Sequence, residues 1–275
     1  MNRRSFRALL AILAFSTIAC LFFALPMLWL VTAPFNPQTT LRAAVPAEPS
    51  LANFQTVFDN SFAIRALFVN NLIFGAGTAV AVVIVATLAS YGMSRARIPG
   101  RDAMVYILIL FSSVVGGTAA MVPIFLLAFR LGLVDTHIGV ILVMTGGFLP
   151  TAIFIMRDFV ESIPRSYEEA AIVCGARPTQ IFLDVAIPML RPGLVVIALW
   201  TLVQAWGAFL IPLVLLRSPE NMPASIAFFS FYTEAGTPLL TLVSAYAFLY
   251  TLPVMLIYLF VNWRFGFRFF GGIKS

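Results

Sequence analysis

The sequence predicts an all-α, polytopic membrane protein with six transmembrane helices and both termini in the cytosol, and three observations carry that prediction. Hydrophobic residues make up 61% of the 275 positions and charged residues only 10%, whereas a soluble domain runs near 45–50% apolar and about 25% charged. That balance excludes a soluble enzyme of this size. The charges are also segregated: 8–41, 66–94, 103–129, 136–156, 192–216 and 235–263 contain no Asp, Glu, Lys or Arg. Each interval exceeds the roughly 20 apolar residues that a helix needs to cross a hydrocarbon core of about 30 Å. A segment in lipid must satisfy its own backbone hydrogen bonds, which a helix does, and a closed barrel would show short alternating segments instead. Finally, if the chain starts inside, Arg3, Arg4, Arg7, Arg95, Arg97, Arg101, Arg157, Arg165, Arg177, Arg191, Arg264, Arg268 and Lys274 all fall on the cytosolic side. Only Arg42, Arg65, Arg130 and Arg217 fall outside, while the acidic residues split six inside to five outside. The positive-inside rule then fixes the orientation. The net charge of +6 is this topological bias and not a nucleic-acid surface, since no basic stretch is long enough to track a phosphate backbone.

The elements follow in order as one transmembrane domain over residues 1–275, with spans at about 8–32, 66–94, 103–129, 138–156, 192–216 and 240–263. Span 1 begins at Arg3-Arg4-Ser5-Phe6, which resembles a twin-arginine signal, and Ile18-Ala19-Cys20 resembles a lipoprotein cleavage site. A signal core is about 7–15 residues, and here apolar sequence continues through Phe22, Leu25, Trp29 and Val31. The arginines are therefore read as anchors of a retained span. Pro34, Pro37, Pro46 and Pro49 make the next segment an extended loop, before 53–62 regains a helical pattern on the approach to span 2. The basic turn 95–101 is short, so spans 2 and 3 are antiparallel neighbours. Span 3 carries Gly116, Gly117 and Pro123, which permit close packing or a kink. His137 falls at the outer edge of span 4 and reads as a loop or interface histidine. Cys20 lies in a span and Cys174 in a cytosolic loop, which leaves no disulfide or metal framework. No internal repeat or low-complexity tract is present.

The cytosolic loop 157–191 holds nine of the chain's 28 charges and is the best docking surface. Ser166 is expected to cap a short helix and Glu169 to close a capping box, with Glu168 and Glu169 at the positive end of its dipole. Gly175 ends this helix of about two turns, whose Ala170, Ala171 and Cys174 leave one side nearly bare. Pro178 suits the first position of a second helix, 179–187, with Ile181, Phe182 and Val185 as its apolar stripe. Pro188 and Pro192 bracket the approach to span 5.

Glu169-Ala170-Ala171, Gly175 after three residues, then Val185, Ile187 and Pro188 reproduce the spacing E-A-A-x3-G-x9-I-x-L-P. This resembles the EAA loop of the inner-membrane permease subunits of binding-protein-dependent ABC importers. Segments 91–100 (YGMSRARIPG), 131–136 (LGLVDT), 175–182 (GARPTQIF), 204–216 (QAWGAFLIPLVLL) and 271–274 (GGIK) resemble the carbohydrate-uptake branch, and the likeness covers essentially the whole chain. Gly207 departs from it, because that branch usually has Asn after the Trp, which puts any polar contact from that side chain in doubt. The resemblance implies an ABC importer type I permease fold, a second homologous permease subunit, nucleotide-binding ATPase subunits, an extracytoplasmic solute-binding protein and surrounding membrane lipid. It also implies that the loop seats in a cleft of the ATPase subunit, with Glu169 pairing with a basic residue there while local capping competes for the same carboxylate. Glu168, Ala170, Ala171, Gly175 and Pro188 would complete the fit.

Energy must come from such a partner. A P-loop needs lysine within G-x-x-x-x-G-K-[ST], and the sole lysine is Lys274, followed only by Ser275. The chain therefore has no cofactor of its own, and ATP and Mg belong to the ATPase subunit. A proton-coupled carrier would place Asp, Glu or His as an intramembrane relay, and the six spans hold none. An uncharged pathway suits an uncharged solute. Its candidate contacts are Asn70, Asn71, Ser112, Ser113, Gln204, Trp206, Tyr246 and Tyr250, since sugars combine hydroxyl hydrogen bonds with ring faces that stack on aromatics. Packing contacts and interfacial aromatics use the same residue types, and the resemblance leaves open which of the two permease subunits holds most of the solute contacts. Oligosaccharides, amino sugars and glycerol-phosphate diesters all remain open, and the resemblance implies an outer loop, here 217–238, that can reach towards the binding protein, with a role there left open. The rival readings are an autonomous secondary transporter or channel for a small polar solute, and a membrane-embedded transferase acting on lipid-linked sugars.

Overall fold

The computed structural model describes residues 3–38, 46, 48–96, 99–100, 103–104, 106–107, 110 and 118–265. Its helices are α1 (Arg3–Thr32), α2 (Ala52–Asp59), α3 (Ser61–Arg95), α4 (Met121–Arg130), α5 (His137–Glu161), α6 (Arg165–Val173), α7 (Pro178–Trp206), α8 (Leu210–Leu215), α9 (Ala224–Ala227) and α10 (Leu240–Phe265). Among the described residues the only β-pairing is an isolated bridge between Tyr232 and Pro238. Among the described residues, five helices, α1, α3, α5, α7 and α10, are long and apolar enough to cross a membrane. Of the expected third span, the described residues include the apolar helix Thr118–Arg130, and Gly116 and Gly117 lie outside them.

The chain divides into two compact units. In the larger, comprising Arg65–Ile226 and Tyr258–Ser275, α3, α5 and α7 pack together. One core cluster joins Val82, Ala86 and Met93 of α3 to Ala152, Met156 and Val160 of α5 and to Ala186, Leu190 and Ile197 of α7. A second joins Phe74, Val140, Met144 and Ala205 to Ala128 of α4 and Leu215 of α8. Lipid tails are as apolar as these side chains, so such helices associate through close packing rather than exclusion of water, and small residues at the seam make that possible. Gly193 is one such close approach. A Cβ there would lie 2.6 Å from Cγ and 2.9 Å from Cβ of Phe159.

The smaller unit comprises Met1–Ile64 and Ala227–Ile257. The Asn53 amide donates to the Pro34 and Asn36 carbonyls at 2.9 and 3.0 Å, which folds the proline-bearing loop back onto α2. Phe35, Phe54 and Phe248 form a ring cluster with centroids 5.2 to 6.1 Å apart. By contrast, α1 exposes Phe15, Phe22 and Phe23, a surface for lipid or another helix.

Two boundaries differ from the sequence expectation. Residues 179–187 do not form a separate helix before span 5: Pro178–Trp206 is one helix of 29 residues, and Pro188 and Pro192 lie within it. Segment Ile181–Ala186 is wound as a π-helix, and the Ile187 amide bonds to the Phe182 carbonyl, five residues back. A proline supplies no N–H and ordinarily breaks the α-ladder; the wider turn just before Pro188 re-registers the hydrogen bonds, so the helix runs on. The expected fifth span to residue 216 instead stops at Trp206 and resumes at Leu210. The Trp206 carbonyl, which a continuous helix would pair with the amide of Leu210, accepts from the Asn71 side chain at 3.4 Å.

Candidate functional site

The motif-bearing loop folds as α6, but not with the expected cap. The helix begins at Arg165 with Pro164 at the N-cap position and no side-chain cap. Starting two residues earlier than expected places Ser166 and Glu169 inside the helix, out of capping register. The capping-box reading of Ser166 and Glu169 is therefore corrected. At the other end, Gly175 has φ +84°, the Ala176 amide bonds to the Ala171 carbonyl at 3.0 Å and the Gly175 amide to the Ile172 carbonyl at 2.9 Å. This pair of bonds is the Schellman closure, whose left-handed position favours glycine. α7 then starts at Pro178, where the Arg177 amide donates to Oε1 of Gln180 at 2.8 Å.

The two adjacent glutamates have opposite fates. Glu168 is buried and takes the Arg95 guanidinium: Nε lies 2.8 and 2.9 Å from its two carboxylate oxygens and Nη2 2.8 Å from Oε1. Arg95 Nη2 also donates to the carbonyls of Val160 and Ile163, at 3.3 and 3.4 Å. Reciprocally, Arg165 donates to the Ser94 carbonyl at 3.2 Å. The last turn of α3, the end of α5 and the first turns of α6 thus meet at one guanidinium. Tyr91 lies beside it, 5.7 Å from ring centroid to the guanidinium carbon, and packs on Phe182 of α7 at 4.9 Å. Glu169, Ala170 and Cys174 are exposed and share that surface with Tyr167, Ile172, Val173, which is 88% exposed, and Leu183. A bare alanine edge, a free carboxylate and unpartnered apolar side chains form a surface suited to another protein. Pro188 is exposed as well.

At the opposite end of the larger unit, the polar candidates Asn70 and Asn71 bond to backbone groups. Asn71 is 1% exposed; its Oδ1 accepts from the Ala224 amide at 2.9 Å, and its Nδ2 donates to Trp206. Asn70 donates to the Glu220 and Met222 carbonyls, both at 2.8 Å, and its Oδ1 faces His137 Nε2 at 3.3 Å. The π-helical turn Ala66–Asn70 precedes this pair, and both amides clamp the segment 220–224. Asp135, at φ +61°, accepts from the Arg217 and Ser218 amides, each at 3.0 Å, and from the Ser218 hydroxyl. The Ser218 hydroxyl first, then those two amides, hold its carboxyl well below the usual carboxylate range. Thr136 caps α5 by accepting from the Gly139 amide at 3.0 Å, and His137 stacks on Phe74 at 5.1 Å.

The other pathway candidates separate. Trp206 is buried, Gln204 is exposed, and Ser112 and Ser113 lie outside the described residues. In the smaller unit, Tyr246 is fully buried and donates to the Ala63 carbonyl at 3.1 Å. Its ring and that of half-buried Tyr250 sit 4.8 and 5.4 Å from Phe228. Of these residues, Gln204 and Tyr250 retain accessible surface. Among the described residues, no group of three or more His, Cys, Asp or Glu side chains is arranged to hold a metal ion. Sequence reasoning missed Arg95 and Asp135. The available signals were a basic residue closing a span beside the acidic loop, and an Asp-Thr pair immediately before a helix.

Residues 101–265 match the family described as binding-protein-dependent transport system inner membrane component. Among curated proteins, the chain is 33% identical over 221 residues to the putative ABC transporter permease protein ORF1 of Streptomyces antibioticus, covering 80% of this chain and 95% of the relative. It is 30% identical to the maltodextrin transport system permease protein MdxG of Bacillus subtilis (strain 168), over 78% and 77% of the two chains. Its identity to the galactooligosaccharides transport system permease protein GanQ of the same strain is 26%, over 96% and 94%. Among solved structures, a chain of a bacterial ABC transporter that imports the acidic polysaccharide alginate superposes with a TM-score of 0.82 at 24% identity, covering 96% of this chain and 99% of that one. That likeness shows a shared fold.

Proposed function

The chain belongs to the inner-membrane components of binding-protein-dependent transport systems, and on that premise we propose that it is a permease subunit importing a sugar or sugar-like solute at the expense of ATP hydrolysed elsewhere. It is a multi-pass inner-membrane protein related to sugar ABC permeases. In this reading it has six spans with both termini in the cytosol, the region of the third span contributing the sixth crossing. It forms half of the pathway with a second, homologous permease. ATPase subunits carry ATP and Mg and dock on α6, and an extracytoplasmic binding protein delivers the solute.

One observation supports the docking reading most strongly: the E-A-A-x3-G segment is a short helix closed at Gly175 that presents Glu169 and Ala170 outward while Glu168 is spent internally. The solute class is supported by relatives named for galactooligosaccharide, maltodextrin and trehalose transport and by spans without charged residues, which favour a neutral oligosaccharide over a strongly anionic one. Gln204 and Tyr250 remain the candidates for direct contact.

The test replaces Glu169 with Gln and Gly175 with Val in the assembled transporter. Uptake should fall to background and the ATPase subunit should co-purify poorly, while the permease pair still inserts. Normal uptake in both variants would refute the docking assignment. Thermal shifts of the cognate binding protein against neutral and anionic oligosaccharides decide the solute class.

A further inference from the structure

We infer that Arg95 is a positioning residue for transport: through Glu168 it makes α6 move as one piece with the ends of α3 and α5. The inference rests on the docking role proposed for α6.

A helix of nine residues is marginal on its own, so what it transmits depends on how it is attached to its neighbours. The central attachment here is one guanidinium. Arg95 is the last residue of α3, and its side chain, with 15% relative exposure, meets that of Glu168, with 12%. Three N–O distances of 2.8 to 2.9 Å fix the angle as well as the separation of the two groups. The remaining donor capacity reaches the carbonyls of Val160, in the last turn of α5, and of Ile163, just past its end. Arg165 closes the loop by bonding the Ser94 carbonyl. α6 is therefore tied to the adjoining helix ends by groups that do not overlap with its exposed face.

This division of labour separates two neighbouring carboxylates. Glu169 faces outward to the motor; Glu168 faces inward to the spans. A lysine at position 95 would keep the charge but not the planar fork, so it cannot hold the carboxylate and both carbonyls at once.

The experiment measures two quantities on the full transporter in proteoliposomes: ATPase subunit bound per permease, and solute imported per ATP hydrolysed. For Arg95→Gln, Glu168→Gln and the double variant, ATPase binding should match wild type. Import per ATP should fall by about tenfold, within the range that couplings between sites span. The double variant should be no worse than either single, since both remove one interaction, and Arg95→Lys should recover only part of the loss. A ratio per ATP is insensitive to how much complex survives, so a merely structural role would leave it unchanged. Glu168→Gln keeps the side-chain shape and serves where Arg95→Gln assembles poorly. Wild-type import per ATP in Glu168→Gln, or additive losses in the double variant, would overturn the inference. Absence of ATPase binding with the wild-type chain would instead overturn the docking role on which it rests.

Discussion

Asn71 separates a solute contact from a structural fastener, and Asn71→Ala tests which it is. The substitution removes an acceptor 2.9 Å from the Ala224 amide and a donor 3.4 Å from the Trp206 carbonyl. The shorter bond contributes about 1 kcal/mol net, and the longer one less. The larger cost comes from what is left behind. Ala224 is fully buried, so its N–H loses its partner away from water, at about 1–3 kcal/mol. Together these give a loss of about 2–4 kcal/mol. At about 2–4 °C per kcal/mol for a domain of this size, the melting midpoint of the purified complex should fall by roughly 5–15 °C. Asn70 clamps the same segment through Glu220 and Met222, so Asn70→Ala combined with Asn71→Ala should cost less than the two singles added, the signature of a shared element. The assay is a melting curve on wild type, both singles and the double, run beside uptake measured against a panel of sugars. An unchanged midpoint together with an altered sugar preference would refute the reasoning and return Asn71 to the pathway.

Two further substitutions test packing and charge. Gly193→Ala sets a helix-propensity gain of about 1 kcal/mol against overpacking of about 1–3 kcal/mol. Because the Phe159 Cβ itself would lie only 2.9 Å away, rotating the ring gives no relief, and the melting midpoint should drop; a rise would show that α5 and α7 separate freely. Asp135→Asn keeps a residue type that tolerates φ +61° but weakens the acceptor for the Ser218 hydroxyl and the two amides. After screening at a half-buried site, the loss should be about 1 kcal/mol, read as faster hydrogen exchange at the Ser218 amide. The sign of the pH effect follows from a folded value lying below the unfolded one: the wild-type contribution is fully present above the ordinary aspartate value of about 3.9 and fades as pH falls from there towards the folded value. The asparagine variant should show no such dependence at that amide.

What was legible in the sequence divides along a physical line. Hydropathy and charge are summed over a whole span, so helix existence survives any local irregularity: α3, α5 and α10 lie where the uncharged intervals place them. Helix ends are decided by single hydrogen bonds, and those depend on partners remote in sequence. Gly207 is the local hint of a break after Trp206, but the group that competes for the Trp206 carbonyl is Asn71, 135 residues away. Proline misled for the same reason at Pro188, where a local rule against helix continuation was overridden by a π-turn. The motif shows the division within two residues. Its spacing located α6 and its glycine closure, since both depend on local backbone geometry. Assigning the carboxylates needed Arg95, which lies 73 residues before Glu168. Burial of one glutamate against that arginine is what leaves its neighbour outward and unspent. A pattern that names only Glu169 therefore records the exposed half of the joint, and the half that faces the spans emerges only once the chain is folded.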